Sequence, residues 1–181
     1  VSLWLGWIVL HTELPTTNKW NPFCVSPNKI FGFFKYIFQQ KIGLTADKHV
    51  VVYDDEGGGW AGRLIWTLDV IGHQNWSYLN GGLIAWYAEG FPTTDEVPPP
   101  EVVEFEVTVD RAAIVSAEDI MALDATNDVQ IWDARSIEEY TGEKVMAEKG
   151  GHIPGAIHCE WTSLMDRERN MRIRQDALEY L

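Results

Sequence analysis

Between residues 49 and 90 the chain changes period in a way that few architectures allow. His49-Val50-Val51-Val52-Tyr53 is a β-branched run too short for a helix, and a loop over 54–59 follows it. Leu64, Ile65, Leu68 and Ile71 then recur at helical steps across 60–71, and Gly72 stands where that helix must end. A second short strand is predicted over 76–79, a turn at Asn80-Gly81-Gly82, and a second helix over 83–89 stopped by Gly90. Strands alternating with helices predict an α/β fold with a parallel sheet.

The chain has 181 residues, 46% of them hydrophobic, which suffices for one ordinary domain or two small ones with a genuine core. Pro92, Pro98, Pro99 and Pro100, mixed with threonine and acidic residues, cannot continue a helix. A linker over 92–101 is therefore expected, dividing a first unit, 1–91, from a second, 102–181. Past it, 102–109 alternates like an extended edge segment, and Ser116-x-x-Asp119 has nearly the capping-box pattern for a helix through Leu123. Residues 129–132 read as a strand with Asp133 at its carboxyl end, the edge where parallel sheets present ligand-facing groups.

The N-terminal stretch says less. Residues 1–26 are rich in aromatic residues and proline without a sustained period. After Pro27, the spacing of Ile30, Phe33, Phe34, Ile37 and Phe38 predicts a helix over 28–40. The apolar run 1–10 falls well short of the roughly 20 residues that cross a bilayer, so it reads as a buried strand and no membrane association is expected. A first residue that is not Met and the abrupt stop at Leu181 read as a fragment at both ends.

Charge and cysteine content narrow the chemistry. Fourteen basic against 27 acidic residues give a net charge of -13, which repels nucleic acid and anionic lipid alike. Cys24 and Cys159 are far apart and lack ligand spacing, so neither a disulfide framework nor a metal site is indicated, and a reducing, cytoplasmic setting fits. Neither cysteine has a good nucleophile's surroundings. Cys159 is followed by Glu160-Trp161-Thr162 instead of glycines, and Pro27, close after Cys24, removes an N–H donor. The surplus of tryptophan, Trp60, Trp66, Trp76, Trp86, Trp132 and Trp161, is expected to pack in cores and between units.

Gly57-x-Gly59-x-x-Gly62, after a strand and opening a helix, spells a dinucleotide-binding fingerprint. Against it stand Asp54, Asp55 and Glu56, which would face the pyrophosphate, and a second strand ending at Asn80 with no acidic residue for the ribose. Asp133 and Arg135 are suited to a charge-assisted pair that reaches toward Glu139.

Taken in order, Asp133-Ala134-Arg135, Glu139-Tyr140 and Gly151-His152-Ile153-Pro154-Gly155-Ala156, preceded by Val50-Val51-Val52-Tyr53-Asp54 and by Leu79-Asn80-Gly81-Gly82-Leu83 with Trp86, carry a resemblance. Over about residues 28–181 the chain resembles the rhodanese family, nearest to its bacterial tandem-domain thiosulfate sulfurtransferases. The resemblance implies two rhodanese-like modules with central parallel sheets flanked by helices, both incomplete here: the back half of one copy and the front half of the next. It implies sulfur transfer from thiosulfate to cyanide or a thiol acceptor through a cysteine persulfide, with neither metal nor organic cofactor. The family's nucleophilic cysteine is expected beyond Leu181, so this chain by itself is expected to be inactive.

In the first copy Asp54 takes the family's cysteine position. The loop Asp54-Asp55-Glu56-Gly57-Gly58-Gly59 then becomes an inactive cradle, whose converging N–H groups a carboxylate satisfies without accepting sulfur. Asp133, Arg135, Glu139 and His152 are assigned support of the active-site region, with His152 bonding a backbone group to fix its turn. The pocket beside Asp133 is read as the same anion cradle in the twin module, left unfinished. The alternatives are a non-catalytic binding or scaffold protein and, more remotely, a phosphatase of related fold. Oligomeric state is not legible from the sequence.

Overall fold

The computed structural model of the chain describes residues 43–97, 99, 101–104, 107–123 and 129–180. The expected strand over 1–10, the expected helix over 28–40 and Cys24 lie outside them. The described residues divide into two compact units, the first holding residues up to Val52 with Gly62–Tyr78 and Pro92–Ala113, the second Tyr53–Ala61, Leu79–Phe91 and residues from Ile114 onward.

In the first unit, strand β1 (Val50–Val52) pairs in parallel with β2 (Trp76–Tyr78), Val50 opposite Trp76. Helix α1 (Gly59–Val70) connects them, as the alternation of period predicts for an α/β chain. Leu68 and Ile71 are buried together with Thr67, Val70, Val52 and Leu44, whereas Leu64 and Ile65 of the same predicted stripe are only half-buried. The Thr67 hydroxyl is reconciled with burial by donating to the Arg63 carbonyl one turn back (2.8 Å). Trp66 Nε1 donates to the Ala113 carbonyl (2.9 Å) and Trp76 Nε1 to Asp69 Oδ1 (2.7 Å), so each indole spends its single donor within the unit.

In the second unit, helix α2 (Gly82–Ala88) is followed by α3 (Ala117–Met121), strand β3 (Trp132–Asp133), α4 (Ile137–Thr141) and β4 (Ile157–His158). A 3-10 turn (Trp161–Leu164), the strands β5 (Met165–Asp166) and β6 (Arg172–Ile173), and helix α5 (Ala177–Tyr180) complete it. β3 and β4 are parallel, and β5 and β6 are antiparallel. The α3 capping box is complete: Ser116 Oγ accepts from the Asp119 N–H (3.1 Å) and Asp119 Oδ2 from the Ser116 N–H (2.8 Å).

Both predicted glycine stops end their helices by the same device. After α1, the N–H of Gly72 reaches the Asp69 carbonyl (2.9 Å) and that of His73 the Leu68 carbonyl (2.8 Å). After α2, Gly90 and Phe91 repeat the pattern onto Tyr87 (3.0 Å) and Trp86 (3.2 Å). This double bond requires a left-handed residue at its first donor, and Gly72 (φ 80°) and Gly90 (φ 74°) supply it. The Phe91 and Trp86 rings, 4.7 Å apart, add the apolar contact that accompanies such caps.

Three expectations are corrected. Over 102–109 the described residues pair with no strand, although the alternation is present: Val103, Val107 and Val109 are half-buried, and Val102, Glu104 and Thr108 are exposed. The strand expected over 129–132 begins only at Trp132 and includes Asp133, although the Ile131 carbonyl already accepts from the Ile157 N–H (2.8 Å). Trp60 (55% exposed) and Trp132 (42%) are not core residues: their indole N–H groups turn outward to Glu56 and Gln130.

Candidate functional site

The loop after β1 is built around one carboxylate. Asp54 Oδ1 accepts from the N–H groups of Glu56 (3.2 Å) and Gly58 (2.8 Å), and Oδ2 from those of Trp60 (3.0 Å) and Ala61 (3.0 Å). Trp60 and Ala61 open α1, whose first-turn amides have no partner within the helix. A negative group there gains from the helix dipole as well as from the bonds. The Asp54 carbonyl accepts from the Leu83 N–H (2.9 Å), which fastens the loop to the start of α2.

Asp55 and Glu56 remain exposed, and Glu56 Oε2 accepts from Trp60 Nε1 (2.8 Å). The acidic side chains of the loop therefore part company, one turned inward onto the amides and two outward to solvent. The dinucleotide reading loses its anion site here, because the amides that would hold a phosphate already hold Asp54.

The residues around Asp133 are arranged differently. Arg135 forks onto Asp133, Nε to Oδ1 (2.9 Å) and Nη2 to Oδ2 (2.6 Å), and its own backbone N–H joins Oδ1 (3.1 Å). Nη2 also reaches the Gly151 carbonyl (2.8 Å), so the guanidinium ties the end of β3 to the turn before β4. His152 Nδ1 lies 2.8 Å from the Tyr140 carbonyl, and its ring stacks on that of Tyr140, with 3.7 Å between centroids and 9° between planes. Tyr140 in turn donates its hydroxyl to the Ala156 carbonyl (2.9 Å).

Glu139 does not form an ion pair with Arg135 among the described residues; it accepts from Ser136 Oγ (3.3 Å), the N-cap of α4, and acts on Arg135 only through its charge. Asp133, Arg135, Lys149 and His152 line an open pocket of about 520 Å³ together with the apolar Ile131 and Ala156.

Asp54 and Asp133 thus do not sit in one kind of cradle. Asp54 follows a strand of a parallel pair and Asp133 ends one, but Asp54 is held by four backbone amides and Asp133 by a guanidinium with one amide. The sequence explains the difference. Gly57-Gly58-Gly59 lets the backbone curl around a small anion, whereas Ala134-Arg135-Ser136 leads straight to a capped helix.

The hydrogen bonds from Arg135 hold the Asp133 carboxyl below its usual range, and Asp133 holds Arg135 above its own. A depressed carboxyl contributes stability above its unfolded value, and the contribution is lost as pH falls through the folded value. Asp119, lowered by its capping bonds to Ser116, acts in the same direction. The unfolding midpoint should therefore drop as pH is taken below about 4, and drop less steeply in Asp133→Asn, which has no charge to lose. Parallel curves for the two proteins would show that the fork contributes nothing to acid stability.

Cys159 is a free, half-buried thiol whose backbone N–H donates to the Asp133 carbonyl (2.9 Å). It continues the β3–β4 ladder, and among the described residues no backbone amides converge on its sulfur.

A family profile described as the rhodanese-like domain matches residues 26–89 and again 116–179. The chain belongs to the rhodanese-like family. Among curated relatives, the thiosulfate sulfurtransferase of Azotobacter vinelandii is 51% identical over 136 residues, 75% of this chain and 50% of its own length. The thiosulfate sulfurtransferase of Pseudomonas aeruginosa is 48% identical over 141 residues, 78% of this chain and 52% of its own. Among solved structures, the Escherichia coli 3-mercaptopyruvate sulfotransferase SseA superposes with a TM-score of 0.70 at 28% identity, covering 82% of this chain and 55% of that one. The rhodanese-like chain thus spans about half the length of the curated relatives it matches. Among its described residues no helix is long and apolar enough to cross a membrane.

Proposed function

We propose that the protein to which these residues belong is a sulfurtransferase that moves sulfane sulfur from thiosulfate to cyanide or a thiol through a cysteine persulfide. In this reaction a cysteine thiolate attacks the outer sulfur of thiosulfate and sulfite departs; the acceptor then takes that sulfur and the thiolate is restored. Chemistry of this kind needs an anion-holding loop at a helix N-terminus, to depress the thiol pKa and to hold the persulfide. The observation that supports it most is the loop around Asp54, where four amides converge at the start of α1 on a group of the required charge and size. A carboxylate cannot take up sulfur, so we read this loop as the inactive copy and place the sulfur-carrying cysteine outside these 181 residues. Asp133, Arg135, Glu139 and His152 would then shape the floor beside the working loop without making or breaking bonds. No metal or organic cofactor enters the reaction. Small anionic partners follow from the proposed reaction, whereas a cytoplasmic setting with neither nucleic acid nor membrane is the reading of charge and cysteine content.

The test is thiocyanate formation from thiosulfate and cyanide. The whole protein should be active and should lose activity on treatment with iodoacetate, and the 181-residue chain alone should form none. Thiocyanate production by the short chain would overturn the assignment. The Asp54-filled loop also favours a second reading, a non-catalytic binding protein in which both loops have lost cysteine. Absence of activity in the whole protein would select it.

A further inference from the structure

The turn between β5 and β6 carries a backbone conformation that its sequence does not favour. Asn170 (φ 57°) and Met171 (φ 59°) are consecutive left-handed residues, and they are the two positive-φ residues other than glycine among those described. The Arg172 N–H closes the turn on the Arg169 carbonyl (3.3 Å). Positive φ at both central positions is the mark of a type I′ turn, in which asparagine is well suited to the first place and glycine to the second. Methionine in the second place is strained, and such strain persists only where the surroundings hold it.

Those surroundings are the Asp54 loop. A Cβ on Gly57 would stand 2.5 Å from Met171 Cε, and Gly57 is buried although Asp55 and Glu56 beside it are exposed. Next to it the Trp161 ring lies 3.3 Å from the place of a Cβ on Gly59. On the other side of the hairpin, Asn80 Oδ1 accepts from the Ile173 N–H (2.8 Å), and Arg172 forms an ion pair with Glu89. Two turns of the first family match are thereby gripped by one hairpin of the second.

We propose that the β5–β6 hairpin is a clasp and that Met171 is its closing residue, held in a strained turn so that its side chain seals the glycine loop around Asp54. This goes beyond the sulfur chemistry and does not depend on it. It assigns the glycines of the loop a present use, as the seat of the clasp, whether or not the loop ever carried a cysteine.

The clasp predicts an effect opposite in sign to that of an ordinary turn residue. Met171→Gly relieves the backbone strain, so if Met171 were only a turn residue the substitution would leave hydrogen exchange unchanged or slow it. If Met171 is the seal, amides of 54–61 in the whole protein should exchange about tenfold faster, while Met171→Leu, which keeps the apolar volume, stays near the wild type. Unchanged or slower exchange over 54–61 in Met171→Gly would overturn the proposal. Should that variant lose protection everywhere, Asn80→Ala decides, because it removes only the acceptor for Ile173. Faster exchange over both 165–174 and 54–61 supports the clasp, and a change confined to 165–174 refutes it.

Discussion

Asp54→Ala is expected to lower the unfolding free energy by about 3 kcal/mol, the largest loss for any exposed or half-buried position among the described residues. The substitution leaves the N–H groups of Glu56, Gly58, Trp60 and Ala61 without their common acceptor. Some of these amides can turn to water, which keeps the loss below the sum of four charge-assisted bonds. Asp54→Asn retains one carbonyl oxygen and should cost about half as much. Urea titrations at neutral pH measure both values. A loss below about 0.5 kcal/mol for alanine, the range of an ordinary surface substitution, would mean that the loop keeps its shape without the carboxylate.

The second large effect comes from the core of the first unit. Leu68 is 1% exposed and stands in α1 among Val70, Ile71 and Thr67, which are equally enclosed. Leu68→Ala removes apolar volume that such surroundings refill only in part, for an expected loss of roughly 3 kcal/mol. Leu178, 90% exposed in α5, is the matched control, and its alanine variant should fall within about 0.5 kcal/mol of the wild type. Similar losses at the two positions would contradict the assignment of the core.

Period and punctuation made much of this architecture legible. The valine run, the helical spacing of Leu68 and Ile71, and the stops at Gly72 and Gly90 all act within a few residues of chain, so local sequence specifies them. The capping box at Ser116 is legible for the same reason. The β5–β6 hairpin was not, because Asn170-Met171 is not a turn pair that propensity favours, and its partners, Gly57, Asn80 and Glu89, lie about 80 or more residues away in sequence.

For the candidate site, residue types pointed to an Asp133–Arg135 pair but not to the Gly151 carbonyl that shares the guanidinium. They also sent Arg135 toward Glu139, since spacing alone does not reveal that Ser136 occupies that carboxylate as a helix cap. The exposed positions of Trp60 and Trp132 were likewise hidden, because an indole has a polar tip as well as an apolar face, and nothing local decides which one prevails.

An anion cradle of the kind that activates a thiol should also ionise a cysteine placed at residue 54. The most direct measurement is the pKa of the thiol in Asp54→Cys, read from the pH dependence of iodoacetamide labelling and resolved by peptide from Cys24 and Cys159. The four amides and the start of α1 should bring it to about 7 or below, and a thiol titrating near the ordinary value of about 8.5 would contradict the account.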